Sequence, residues 1–500
     1  MPVRALKYWC RFLEVTVREK IRHAARRLAF GSTVEELDRF ERIGLNATIA
    51  ELTDFSPPGE KYPVSPFEYF YQEDGQIQTQ AQRVSAWWLG RMALTTKPQR
   101  DKLLLFLHDH FAISADKVES GALLLTYLQT MEDHLQSPFD ELLKAVTIDP
   151  AMLIWLDLRE SIKDRPNENF ARELLELFTL GIGNYTEADI KEASRALTGW
   201  GIRNLSAEVP REQVRGLFDD WAKGGSPLVV PSFSPQVADA SDKTILGKTQ
   251  KFNLDSVIEL ASQHPVTAKY LCTKLWEFYA YENPEPKVVD RLSKVFLKSK
   301  GKLTDVVAEI AKMDEFYSDK AHRAIVKCPI DFFVPVVRSV ITPAAAFNER
   351  PARKAPTTPV NQAVATLSST LLFLCNRVGM TPMFPPDVAG WNWGTSWIST
   401  TTMLDRINFS RVFAGTAGGR SMATQVSRIA ARKGVTDSLG VMEVLFEVLD
   451  ANPSAEERAV FADMAQKANL GQVVGNIDQL NSRIGPLVRG VFAMPTFHLC

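Results

Sequence analysis

Apolar residues recur along most of this chain at the three- and four-residue spacing of helices that bury one face. Residues 32 to 52 open on Ser32-Thr33-Val34-Glu35-Glu36, where a hydroxyl precedes a glutamate by three, the pattern of a capping box. Leu37, Phe40, Ile43 and Leu45 follow at roughly helical spacing. From Arg83 to Phe111 the apolar line thickens through Trp87, Leu89, Met92, Leu103, Leu104 and Leu107. A further helix is predicted from Pro166 to Leu180, closed by Gly181. Thr186-Glu187-Ala188-Asp189 reads as the start of the next, which ends by Gly199. Ser256 to Ser262 and Pro265 to Tyr281 give two more, the second with Ala268, Leu271, Cys272, Leu275, Trp276 and Tyr279 on one side. The pattern predicts an all-α protein.

Two stretches interrupt it. Residues 205 to 253 hold Pro210, Gly216, Gly224, Gly225, Pro227, Pro231 and Pro235. They read as a long irregular excursion with one small hairpin, Leu228 to Phe233 facing Thr244 to Leu246. Thr342 to Pro359, with four prolines, reads as a surface linker. The chain thus divides into an N-terminal helical region, 1-204, the excursion, 205-253, and a C-terminal helical region, 254-500. No repeat of 20 to 50 residues is visible, which disfavours a solenoid.

Composition narrows the function classes. The 500 residues carry 58 basic and 59 acidic side chains, so no general electrostatic pull toward nucleic acid or an anionic membrane exists. No apolar run approaches the ~20 residues of a membrane span. The opening sets Arg4, Lys7 and Arg11 among apolar residues, unlike a signal peptide, and a cytoplasmic protein is expected. Cys10, Cys272, Cys328, Cys375 and Cys500 are scattered, with no pair at zinc-ribbon or redox spacing. GxSxG, GxxxxGK[ST] and HExxH motifs are missing.

Three clusters remain as candidates. In Asn167-Glu168-Asn169-Phe170-Ala171-Arg172-Glu173-Leu174-Leu175-Glu176, a helix would align Glu168, Arg172 and Glu176 in one stripe and Asn169 with Glu173 in the next. The apolar residues between them predict a helix buried on most faces, whose carboxylates need an arginine, a metal or a raised pKa. Either Arg172 pairs with both Glu168 and Glu176 as a packing lock, or the cluster carries acid-base or metal chemistry. In His108-Asp109-His110, residues two apart point some 200° apart on a helix. Each is then a core histidine, or the helix ends there and both join one divalent transition metal with carboxylates from elsewhere. Finally, Gly390 to Trp397 packs Trp391, Trp393 and Trp397 into eight residues. Exposed, the rings suit stacking on a sugar or a partner; buried, they pin the loop to the helices.

These segments, in this order, resemble the domain-of-unknown-function family 1800. The likeness runs through residues 24–31, His108 to Phe111, Asp149 to Asp157, Asn167 to Gly181, Ala196 to Trp200, Lys243 to Gly247, His264 to Ala268, and Pro385 to Trp397. It covers roughly residues 20 to 500. The resemblance implies a helical architecture in one family-length unit, a bacterial origin, relatives that are often exported, and a partner from a neighbouring sulfatase-like family. Two departures stand out. Ala240-Ser241-Asp242 replaces a histidine-aspartate pair, and Leu107 and Asp109 stand where the family tends to have tryptophan and asparagine.

Two functions are expected on these grounds. The first is a non-enzymatic protein that binds a partner or polymer through Trp391, Trp393 and Trp397, with Asn167 and Asn169 as further binding residues. The second is a metal-assisted hydrolase. There His108, His110, Glu173 and Glu176 are ligands, Arg172 orients the substrate, and Glu168 or Asp157 moves protons.

Overall fold

A computed structural model describes residues 16–56, 65–72, 76–340, 362–414 and 421–500. It is 65% helical, with two small two-stranded sheets among the described residues. The linker expected at Thr342 to Pro359 and the chain's opening lie outside them. No helix of the described residues is long and apolar enough to cross a membrane.

Local signals set most helix boundaries. The first helix, α1 (Val17–Leu28), starts at Thr16, whose hydroxyl accepts from Glu19 N–H. α2 (Val34–Ile43) begins with a complete capping box between Thr33 and Glu36. It stops at Gly44, at φ 81°, and α3 (Leu45–Leu52) follows directly. The apolar stretch from Arg83 resolves into two helices, α4 (Ala81–Leu94) and α5 (Pro98–His110), with Pro98 opening the second.

Every residue of α5, and of α4 from Val84 onward, is buried. Helices without a solvent face must pair their charges internally. Asp101 accepts from Trp88 Nε1 at 2.8 Å and from Arg91 at 2.6 Å, and Arg91 also reaches Glu132 at 2.7 Å. Lys102 is ion-paired with Asp331. Buried apolar side chains from Ile21 to Phe497 form one connected cluster around these helices.

The excursion is ordered and differs from expectation. β1 (Trp200–Asn204) pairs antiparallel with β2 (Val229–Phe233), Trp200 opposite Phe233. β3 (Lys243–Ile245) pairs with β4 (Lys248–Gln250) across the two-residue turn Leu246-Gly247, at φ 48° and 77°. Leu228 to Phe233 therefore does not face Thr244 to Leu246. A tight turn with both central residues at positive φ closes the second hairpin locally, which leaves the first strand pair to form across a longer connection. That connection holds a helix, Arg211–Ala222, which pattern reading missed because Pro210 and Gly216 look like breakers. Pro210 instead precedes the helix, and Phe218 and Trp221 bury their rings against Phe67 at 5.5 and 4.8 Å.

The buried network gives a direct test. Asp101→Ala strands Arg91 and the Trp88 N–H in the interior. Its expected cost is on the order of 3–5 kcal/mol, read as the loss of unfolding free energy in urea.

Candidate functional site

The site is organised by the last turn of α5, where His108, Asp109 and His110 are all buried. The helix ends at His110, yet the two histidines still diverge. His108 Nε2 accepts the Met383 N–H at 3.0 Å, and its ring lies edge-on to Trp88 and Trp391. His110 stacks on Phe106 and presents Nδ1 to the Lys274 ammonium at 3.2 Å and Nε2 to the Phe178 carbonyl at 3.3 Å. Burial holds His108 neutral, with its pKa down to about 3. Burial and then the Lys274 charge push His110 well below its ordinary value.

Asp109 ties this turn to the tryptophan loop. Oδ1 accepts the Trp391 N–H at 2.8 Å and Oδ2 accepts the Trp393 indole N–H at 2.7 Å. Gly390 stands at φ 87°, and a Cβ there would lie 2.4 Å from Asp109 Oδ1, so only glycine permits the approach. Trp391 and Trp397 are buried, and Trp393 is half-buried with its ring 5.3 Å from Phe278. The three rings thus seat the loop rather than form an exposed stacking patch.

The polar helix of residues 166 to 180 is amphipathic instead of buried on most faces. Its α-helical part, Glu168–Leu175, buries Phe170, Ala171, Leu174 and Leu175, while Glu168 and Asn169 are exposed. Asn167 caps it, accepting from Asn169 N–H and donating to the Leu156 carbonyl at 2.7 Å. Arg172 does not lock Glu168 and Glu176. It makes a bidentate pair with Glu187 at 2.8 Å on the surface, because the Thr186 cap starts the next helix beside it. Asp157 lies on the surface, paired with Lys117 at 2.7 Å.

Beyond Leu175 the chain widens into a π-turn, Glu176–Leu180, that ends at Gly181. The Thr179 hydroxyl donates to the Leu174 carbonyl at 2.7 Å. Within this turn the Leu177 and Phe178 carbonyls reach outward to the Tyr270 hydroxyl and to His110. Single π-turns of this kind are frequent at functional sites. Glu176 accepts the Tyr185 hydroxyl. Glu173, half-buried, is pushed up by burial and by the charge of Glu176.

His108, His110, Glu173 and Glu176 are not gathered into one coordination set. Among the described residues, no group of three or more His, Cys, Asp or Glu side chains could hold a metal ion. What converges instead is a stripe on the Pro265–Tyr279 helix that sequence reading passed over. Tyr270, Lys274 and Phe278 stand at i, i+4 and i+8, each half-buried. Lys274 lies 5.7 Å over the Tyr270 ring. Burial lowers the Lys274 pKa, with Asp109 and Glu277 opposing the shift. Burial raises Tyr270 to about 12, with the charges of Glu176 and Asp109 adding to it. The signal was present as a second, four-residue spacing about 100° around the helix from Leu271, Leu275 and Tyr279.

Asp109 makes the site pH-sensitive. Burial raises its pKa to about 6, against the opposing charge of Lys274 and the two loop N–H donors. A carboxyl raised above its unfolded value near 3.9 binds more protons folded than unfolded. Its contribution is full at low pH and declines by on the order of 3 kcal/mol as pH rises from about 4 through 6. Asp109→Asn removes this slope, so in urea the wild type loses on the order of 3 kcal/mol relative to the variant as pH rises across that window, and the difference is constant above about pH 7.

Comparison with known proteins places the whole chain. No curated protein and no solved structure matches it. The model of one family, described as a protein of unknown function (DUF1800), matches residues 23–499. That match takes in α5, the π-turn, the Pro265–Tyr279 helix and the tryptophan loop together, and the chain belongs to the DUF1800 family.

Proposed function

We propose that the chain binds a neutral, hydroxyl-rich polymer, a glycan strand, along the Tyr270–Lys274–Phe278 stripe. The observation that carries this reading is the juxtaposition of half-buried rings with hydrogen-bonding charges on one face. Eight helical residues span about 12 Å, the length of two or three sugar units. Tyr270 and Phe278 bracket Lys274, and Trp393 extends the ring surface beside Phe278. Aromatic faces take the apolar C–H side of a sugar ring, while an amine and carboxylates take its hydroxyls. Asp109 and Glu277 beside the single Lys274 amine, with Glu176 beside Tyr270, favour a neutral ligand over an anionic one.

In this reading the tryptophan loop contributes through Trp393 alone. Trp391 and Trp397 hold it in place. A hydrolytic variant has one specific support. Glu173 and Glu176 sit at i, i+3, and burial and mutual charge push Glu173 toward its protonated form, as a general acid requires.

The test is affinity electrophoresis through gels containing xylan, soluble β-glucan or glycol chitin. Retardation is expected in at least one gel, and Tyr270→Ala is expected to weaken it roughly three- to tenfold with an unchanged circular dichroism spectrum. No retardation in any gel, or full retention by Tyr270→Ala and by Lys274→Met, rejects the reading. Release of reducing ends, lost in Glu173→Gln while retardation persists, identifies the hydrolytic variant.

A further inference from the structure

We infer that a small inorganic anion, a halide or a phosphate-sized oxyanion, occupies the buried cavity between Arg26 and Lys327. The cavity lies where α1 meets the Pro329–Val340 helix and residues 448 to 450. Its volume is about 30 Å³, where one water needs roughly 10–15 Å³. Arg26, Ser32, Lys327, Asp331, Ser339 and Asp450 supply its polar lining.

The charges around it do not balance. Arg26 grips Asp450 through Nε at 2.7 Å and Nη2 at 3.1 Å. The same carboxylate also serves Arg22 at 3.6 Å and Arg323 at 3.4 Å. Asp331 is taken by Lys102. Glu19 reaches only Arg22, from the surface, at 3.7 Å.

No carboxylate pairs directly with Lys327 among the described residues, and Asp450 acts on it only through its charge. It is 5% exposed, its ammonium sits 4.5 Å from the Phe497 ring centre, and it joins no ion pair among the described residues. Arg26 Nη1 is buried without a hydrogen-bond partner. Neighbouring Arg406, fully buried, donates to the Lys327 carbonyl at 2.9 Å, while its Nε and Nη1 have no partner.

Buried cations in excess are relieved either by losing a proton or by gaining an anion. Burial, then the charge of Arg323, pushes Lys327 down to about 7. Guanidinium groups do not shed protons in this way. A lysine alone therefore cannot relieve Arg26 and Arg406, whereas an anion in the adjoining cavity relieves Arg26 and Lys327 at once. The bound ion is held by charge-assisted hydrogen bonds from both side chains, and it ties α1 to the segment carrying Lys327.

The experiment follows thermal unfolding of the full chain at constant ionic strength, replacing sodium gluconate, whose six-carbon anion is too large for the cavity, with sodium chloride or sodium phosphate. A saturable rise of the midpoint on the order of 2 °C is expected with one of the two ions, and the responding ion identifies the occupant. Lys327→Met is expected to fold and to lose the response. Should it fail to fold, wild-type crystals grown in bromide or phosphate serve as the second measurement, with density for the ion expected between Arg26 and Lys327. No saturable response to either ion, an undiminished response in Lys327→Met, or an empty cavity in both crystals overturns the inference.

Discussion

Much of the structure around the site hangs on one buried carboxylate. Asp109 sits at the end of a helix with no solvent face and accepts two N–H donors from a loop some 280 residues further along the chain. A buried acceptor of this kind fixes position as well as distance, because leaving either donor unpaired costs on the order of 1–3 kcal/mol. With the loop seated, Trp391 closes over His108 and Trp393 comes to rest beside Phe278. His110, turned the other way, then meets the π-turn and the Lys274 amine. One turn of helix distributes three polar side chains to three separate elements.

This arrangement explains why an HxH sequence next to a carboxylate-rich helix is not a metal centre among the described residues. On a helix that stays regular to its last residue, His108 and His110 keep their divergence. Each ring nitrogen that is used is committed to a backbone group or to an amine. The polar side chains of the motif act as fasteners. The chemistry-bearing groups left partly open are Tyr270, Lys274, Glu173 and Glu176, of which Lys274 alone meets the motif, through His110.

The legibility of the chain followed the range of the interactions. Helix starts at Thr33 and Thr186 were readable because a capping box closes within four residues. The all-α class followed from the same local periodicity. Strand pairing was not readable, since β2 had two candidate partners and the choice rested on a turn at Leu246-Gly247. Helix spacing offers Arg172 to Glu168 and Glu176 as one of two readings, and a residue on the next helix, Glu187, takes it by bidentate geometry. The Lys274 stripe is hard to read because the adjoining, more apolar face of its helix dominates the pattern. Asp109 stands out in the sequence only as a departure from the asparagine usual in the family. Its role depends on Trp391 and Trp393, whose approach no local signal announces.

The buried arginines of the first helix have a consequence for how the protein is made. Arg26 finds its carboxylate only at Asp450, and Arg27 bonds the Tyr279 carbonyl and the Cys500 thiol. At synthesis rates of 5–20 residues per second, roughly 20–80 s separate the emergence of Arg26 from that of its partner. Through that interval α1 carries guanidinium groups that cannot be buried, so it stays off the growing core. Nascent chains must therefore keep the apolar side of α1, with Ile21 and Leu28, waiting in solution or in the care of a chaperone until the segment carrying Asp450 leaves the ribosome.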